Sequence, residues 1–210
     1  MNIRTLVLLA LLPISLCQAT IIQRNSIKAV LEEIKDDKTL VVFDIDDTLV
    51  KTDAKIKILD SKTHKVIREL TPEEFKGLVK KKHHVLNFDD FDSPELLRRG
   101  NMINEIFHLL KSTYAKKIPV AILTARSDST MVRDFFLNYG IDIHPELVIA
   151  INDPQFKHKG SIAERKRKAI EELVDSGYRN LIFFDDNDDN LKLAKSVEGY
   201  KDSKIKTIKV

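Results

Sequence analysis

The hydrophobic positions of the chain follow two alternating rhythms. Runs of strand length rich in apolar residues occur at Thr39 to Phe43, Ile118 to Leu123, Leu147 to Ile151, Leu181 to Phe184 and Ile205 to Val210. The first shows no polar alternation, which suits a central parallel strand covered on both faces. Between the runs lie segments of helical period at Asn101 to Tyr114, Ser129 to Asn138, Ala163 to Val174 and Asn190 to Val197. An earlier stripe of helical spacing, Ile27, Val30, Leu31 and Ile34, leads into the first strand, with Asn25 or Ser26 as its N-cap. Gly140 and Gly177 follow two of the helices, where a C′ glycine belongs. Strand and helix in repeated alternation predict an α/β fold built on a parallel sheet.

One stretch breaks the rhythm. From Val50 to about Leu96 no good strand-helix-strand unit can be read. Lys55 to Leu59 and Lys65 to Leu70 look like two strands around the turn Asp60-Ser61-Lys62-Thr63-His64, and Thr71-Pro72-Glu73-Glu74 opens a short helix with cap, proline and early acids. The expected organisation is therefore a core of residues 20–50 and 97–210 with a small α+β cap, residues 51–96, inserted after the first strand. That position places the insertion over the C-terminal edge of the sheet, where ligands bind in open α/β folds.

A chain of 210 residues, 43% hydrophobic and 32% charged, can bury one sizeable core and does not need two. Its net charge of +3 is mild, with Lys and Arg interspersed among Asp and Glu, so charge alone does not argue for nucleic acid. Residues 1–19 differ from the rest: Arg4 is a positive n-region, Thr5 to Cys17 an apolar run, and Cys17-Gln18-Ala19 offers small residues at a cleavage position. They predict a secretory signal peptide and an exported, periplasmic or secreted product. The run is shorter than the roughly 20 residues that span a bilayer, so no stable membrane insertion is expected after cleavage. Cys17 is the only cysteine, and a chain cut after Ala19 could form no disulfide. A lipid anchor on Cys17 is the minor alternative, disfavoured by bulky Leu16.

Chemistry concentrates at the predicted strand ends. Asp44, Asp46 and Thr48 follow the first strand, Thr124 ends the second, and Asp185-Asp186 end the fourth. Asp44 and Asp46 project to one side of an extended chain, and two carboxylates in one pocket call for a cation. All-oxygen ligands without nearby His or Cys favour Mg2+. A carboxylate can attack phosphorus, and a second can protonate the leaving oxygen and later deprotonate water. Thr124 could bind a phosphoryl oxygen, although a strand-terminal Thr is commonly just a cap. Lys166 is the one charge in the stripe Ile162, Ala163, Lys166, Ala169, Ile170, Leu173 and Val174, and so needs an anion or a route to water. Lys159, one helical repeat earlier, competes with it. In the acidic run Asp185 to Asn190, Asp186 is the expected direct metal ligand, with Asp185 assisting and Asp189 or Asn190 in support. The bland reading of that run is an acidic turn that caps the next helix.

Taken together, Asp44-x-Asp46-x-Thr48, Thr124, Lys166 and Asp185-Asp186, in this order and each beside an apolar strand, resemble the motifs of the haloacid dehalogenase-like (HAD) superfamily. The resemblance covers residues 38–210 apart from the insertion. It implies a Rossmann-like sheet of strand order 5-4-1-2-3 with a C1-type cap. It also implies an aspartyl-phosphate mechanism with Asp44 as nucleophile, Asp46 as general acid/base, and Thr48, Thr124 and Lys166 on the phosphoryl group. Mg2+ would then be held by Asp44, the main-chain carbonyl of Asp46 and Asp186, with Asp185 the competing ligand. The dehalogenase branch lacks an acid at the Asp46 position and P-type pumps carry Lys there, so the resemblance points to phosphoryl transfer.

Three functions are expected in descending order. The first is a Mg2+-dependent phosphatase acting on a small phosphate monoester. The second is a polynucleotide 3′-end phosphatase, implied by the resemblance of the 19-residue interval from Lys166 to Asp185 to that of HAD-type polynucleotide 3′-phosphatases, and suggested by the basic run Lys80-Lys81-Lys82. The third, of another class, is a receiver-like phosphate-binding module, which the order of the motifs opposes. The acids Asp89, Asp90 and Asp92 read most simply as part of a solvated loop with opposite charges nearby.

Overall fold

The computed structural model describes residues 38–76, 78 and 82–210, together with Glu32. The expected signal peptide, the first helical stripe, and Lys80 and Lys81 of the basic run lie outside the described residues. By its internal contacts the chain divides into units of residues 1–35 and 36–210, and the second holds the sheets, the helices that connect them and the candidate site.

The fold is α/β, with a parallel central sheet, as the strand and helix rhythms predict. Its strands are β1 (Thr39–Phe43), β7 (Val120–Thr124), β8 (Val148–Ala150), β9 (Asn180–Asp185) and β10 (Lys204–Lys209), in the order β10-β9-β1-β7-β8. All four neighbouring pairs are parallel. β1 is buried throughout because it lies between β9 and β7 and both of its faces are covered. Leu40, Val42, Ala121, Leu123, Leu181 and Phe183 share one cluster with Ala169, Ile170, Leu173 and Val174. Successive strand residues face opposite sides, and the complementary set Val41, Phe43, Ile122, Ile182 and Phe184 is buried as well.

The connecting helices are α3 (Asn104–Ala115), α4 (Ser129–Leu137), α5 (Ile162–Asp175) and α6 (Asp188–Lys195). The first begins later than its period suggested. Asn101–Met102 instead forms a short strand, β6, paired antiparallel with β2 (Val50–Lys51). That pairing joins positions some fifty residues apart, and a local period cannot register it. Gly140 and Gly177 both have positive φ, 74° and 111°, as left-handed helix-terminal glycines do.

The β2–β6 pair is the stem of the insertion. Beyond it lies a three-stranded antiparallel sheet of β3 (Ile56–Asp60), β4 (Val66–Leu70) and β5 (His84–Asn87), in the order β4-β3-β5. Helices α1 (Pro72–Lys76) and α2 (Pro94–Arg99) and a 3-10 turn at Asp89–Asp92 complete it. Ile56, Ile58 and Leu70 are its buried centre, with Phe75, Leu78, Leu86 and Phe91 packed against them. The strand β5 and the helix α2 have no counterpart in the sequence reading. Among the described residues no helix is long and apolar enough to cross a membrane.

Candidate active site

The C-terminal edge of the sheet gathers the charged residues because β1 and β9 run side by side and stop together. Phe43 pairs with Phe184, their rings stack at 5.0 Å, and the Asp44 amide donates to the Phe184 carbonyl at 3.0 Å. Asp44 and Asp185 therefore leave the sheet next to each other. The chain then turns sharply. The Ile45 carbonyl accepts from the amides of Thr48, Leu49 and Val50, and Asp47 takes a left-handed φ of 56°. This turn carries the backbone into the stem of the insertion directly beyond the carboxylates.

Lys166 comes from α5, whose N-terminus is fixed by a capping box between Ser161 and Glu164. It is 1% exposed, lies on the face formed by Ala163, Ala169, Ile170 and Leu173, and packs over the Phe183 ring at 5.8 Å. Its ammonium meets Asp44 Oδ2 at 3.0 Å and Asp185 Oδ2 at 2.7 Å. Lys159 is exposed in the loop before the helix and makes no such contact. Burial opposes the charge on Lys166, but Asp44 and Asp185 outweigh it and its pKa is raised.

Asp44 is the strained member of this group. Burial pushes its pKa up, Lys166 pulls it down, Asp185 and Asp46 push it up again, and it reaches about 8. The Lys166 ammonium alone does not offset what burial and the neighbouring acids do to Asp44. Asp185 has the better claim on it: its oxygens also accept from Asn190 Nδ2 at 3.0 and 3.1 Å and from the Asn187 amide at 2.8 Å. Asn187 meanwhile caps α6 by accepting from the amides of Asp189 and Asn190. The run thus caps a helix, through Asn187, and also places the carboxylates of Asp185 and Asp186 near Asp44. Asp189 is exposed, whereas buried Asn190 holds Asp185.

Ligand atoms of Asp44, Asp185 and Asp186 lie within 4.8 Å of one another, an arrangement able to hold a metal ion. A dication fits the chemistry of the donors, because Asp44 is the carboxylate short of positive charge. Further acids lie around Asp47. Half-buried Asp47 has its pKa raised by burial first, then by Asp186, Glu73 and Asp46. Glu73 belongs to α1, so the insertion adds its own charge to this edge.

The threonines are placed differently from the carboxylates. Thr124 is buried, and its hydroxyl accepts from the Arg126 amide at 3.3 Å. Thr48 is buried, and its hydroxyl has no hydrogen-bond partner among the described residues.

Arg126 was missed by the sequence reading. It is 1% exposed and grips Asp46 with both arms of its guanidinium, Nη2 to Oδ1 at 2.7 Å and Nε to Oδ2 at 3.0 Å. Its Nη1 donates to the carbonyl of Phe91 in the insertion. The available signal was an arginine two residues past the end of a buried strand, in Thr124-Ala125-Arg126. Two acids of the supposed solvated loop are likewise engaged. Asp90 accepts from the Lys55 amide at 3.1 Å and from Lys57 Nζ at 2.6 Å, and Asp92 accepts from the Ser127 amide at 2.9 Å.

Fold and site together define an α/β protein with a lysine-centred cluster of carboxylates at the C-terminal edge of a parallel sheet. Residues 22–154 match the family described as Protein of unknown function (DUF2608), and the chain belongs to that family. No curated protein matches it. The family match corrects the resemblance to the HAD superfamily and its C1-type cap: the family it identifies is DUF2608, an uncharacterised one, and not a HAD domain. The physical reason is that parallel α/β sheets of any lineage bring strand-end residues to one edge. A set of short motifs in order therefore describes a pocket without specifying descent.

Proposed function

We propose that this protein is a metal-dependent phosphatase that hydrolyses a small phosphate monoester through an aspartyl-phosphate on Asp44. The observation that carries the reading is the pairing of two carboxylates in different surroundings. Asp44 is buried against the ammonium of Lys166 at 3.0 Å, and Asp46 is held separately by Arg126. In the first step an Asp44 oxygen attacks phosphorus, the ester P–O bond breaks, and Asp46 gives a proton to the departing oxygen. In the second, Asp46 takes a proton from water as the water oxygen attacks the same phosphorus, and Asp44 is released with inorganic phosphate. Lys166 would contribute charge to the phosphoryl group, and the hydroxyls of Thr48 and Thr124 hydrogen bonds.

A bound Mg2+ would be held by Asp44, the main-chain carbonyl of Asp46 and Asp186, and would supply the positive charge that lets Asp44 ionise. Asp185 is the weaker ligand, since both its oxygens are already engaged by Lys166 and Asn190. With β1 at the centre of the sheet, the insertion acts in this reading as a cap over the pocket. Glu73, which acts on Asp47 at the mouth, supports that role. The negative mouth of Asp47, Asp186 and Glu73 favours a small monoester over a polynucleotide end, whose backbone it would repel. Export after cleavage at Ala19 belongs to the same proposal.

The test is phosphate release from p-nitrophenyl phosphate with Mg2+ by the protein from Thr20 onward, expected to be abolished in Asp44→Asn. Undiminished turnover by that variant removes Asp44 as nucleophile. A preference for 3′-phosphorylated oligonucleotide over mononucleotide would favour the polynucleotide reading.

A further inference from the structure

Arg126 joins two parts of the molecule that the chain keeps far apart. Two arms of its guanidinium hold the two oxygens of Asp46, and the third donates to the Phe91 carbonyl. Next to it, the Ser127 amide donates to Asp92 Oδ1 at 2.9 Å, so consecutive core residues hold consecutive residues of the insertion. The 3-10 turn that carries Phe91 and Asp92 is itself tied to the start of β3, since Asp90 accepts from the Lys55 amide just before the strand and from Lys57 within it. A continuous set of hydrogen bonds thus runs from the insertion's sheet through the Asp89–Asp92 turn and Arg126 to the Asp46 carboxylate. Each carboxylate oxygen has two lone-pair sites, so the arginine can fix the orientation of Asp46 and still leave positions for a proton.

We infer that Arg126 is a positioning residue and that docking of the insertion at Asp92 sets the orientation of Asp46. The inference rests on the phosphatase reading. If the insertion is undocked, Arg126 loses its third anchor and Asp46 its fixed direction, whereas Asp44 and Lys166 are held by β1, α5 and β9 and keep their places. The consequence is specific. Proton donation to the leaving group weakens while attack by Asp44 does not.

Leaving groups of different basicity separate the two steps. p-Nitrophenolate departs with little help from an acid, while an alkoxide such as that of ethyl phosphate requires a proton. In Asp92→Ala, kcat/KM for ethyl phosphate is expected to fall about tenfold or more, and for p-nitrophenyl phosphate by less than about threefold. Asp92→Asn, whose Oδ1 still accepts from the Ser127 amide, is expected to stay near wild type on both substrates. Arg126→Lys, which keeps the charge and loses the fork, is expected to show the pattern of Asp92→Ala with larger losses on the alkyl ester. Equal losses on the two substrates, or an Asp92→Ala enzyme indistinguishable from wild type, overturn the inference and leave the phosphatase reading intact. A wild-type protein that hydrolyses neither substrate overturns both.

Discussion

At the scale of single residues the site is a contest over one ammonium. Lys166 is 1% exposed and faces two carboxylates, of which fully buried Asp185 also accepts from Asn187 and Asn190. Removing the ammonium in Lys166→Ala leaves both carboxylates buried without their counter-charge, a loss of about 3–5 kcal/mol that urea denaturation would detect. Asp44 gives a pH-dependent result of definite sign. Its pKa rises from 3.8 to about 8 on folding, so the folded protein keeps a proton that the unfolded chain releases. The stability linked to this group is fully present below 3.8 and is lost as pH rises through about 8. Asp44→Asn removes that penalty. With chelator present, its melting temperature is expected to exceed that of wild type by more at about pH 8 than at about pH 4, and an unchanged difference would show that Asp44 is not the proton-retaining group.

At the scale of elements, the pocket depends on how closely the insertion leaves and rejoins the core. The stem formed by β2 and β6 is only two residues long on each side, and Gly100 precedes it. A Cβ at Gly100 would lie 2.5 Å from Val50 Cγ1 and 3.1 Å from Thr52 Cγ2, closer than packed atoms tolerate. Gly100→Ala is therefore expected to destabilise the protein by about 1–3 kcal/mol through forced displacement of the stem. The midpoint of urea unfolding would report it, and an unchanged midpoint would mean that the stem yields freely. The short strands keep Asp46 and Asp47 under the insertion, since the turn that carries them ends where the stem begins.

At the scale of the whole unit, a metal would join strands that are neighbours in space and distant in sequence. Asp44 leaves β1 and Asp186 follows β9, so an ion shared between them ties the two central strand ends together. A ligand bound only by the folded state stabilises it by about 2.7 kcal/mol at one hundred times its Kd. Mg2+ is accordingly expected to raise the melting temperature of wild type near neutral pH, and Asp186→Asn to reduce that rise strongly. A full rise in the variant would remove Asp186 from the ligand set.

The sequence by itself determined the features that depend on short-range pattern. Apolar runs of strand length alternating with helical stripes specified the parallel α/β architecture, because burial on both faces demands unbroken apolar strands. The one charge in the α5 stripe drew attention to Lys166, and carboxylates at the ends of apolar runs drew attention to Asp44 and to Asp185-Asp186. Tertiary structure decided the features that depend on contacts between distant segments. It paired Asn101 with Lys51 where a local period had suggested helix, and it gave Asp185 to Lys166 and Asn190. It also turned Arg126 from an unremarked residue past a strand into the clamp on Asp46, and it made structural ties of Asp90 and Asp92. A side chain's role in a pocket is set by the partners within reach of it, and periodicity carries no information about those partners.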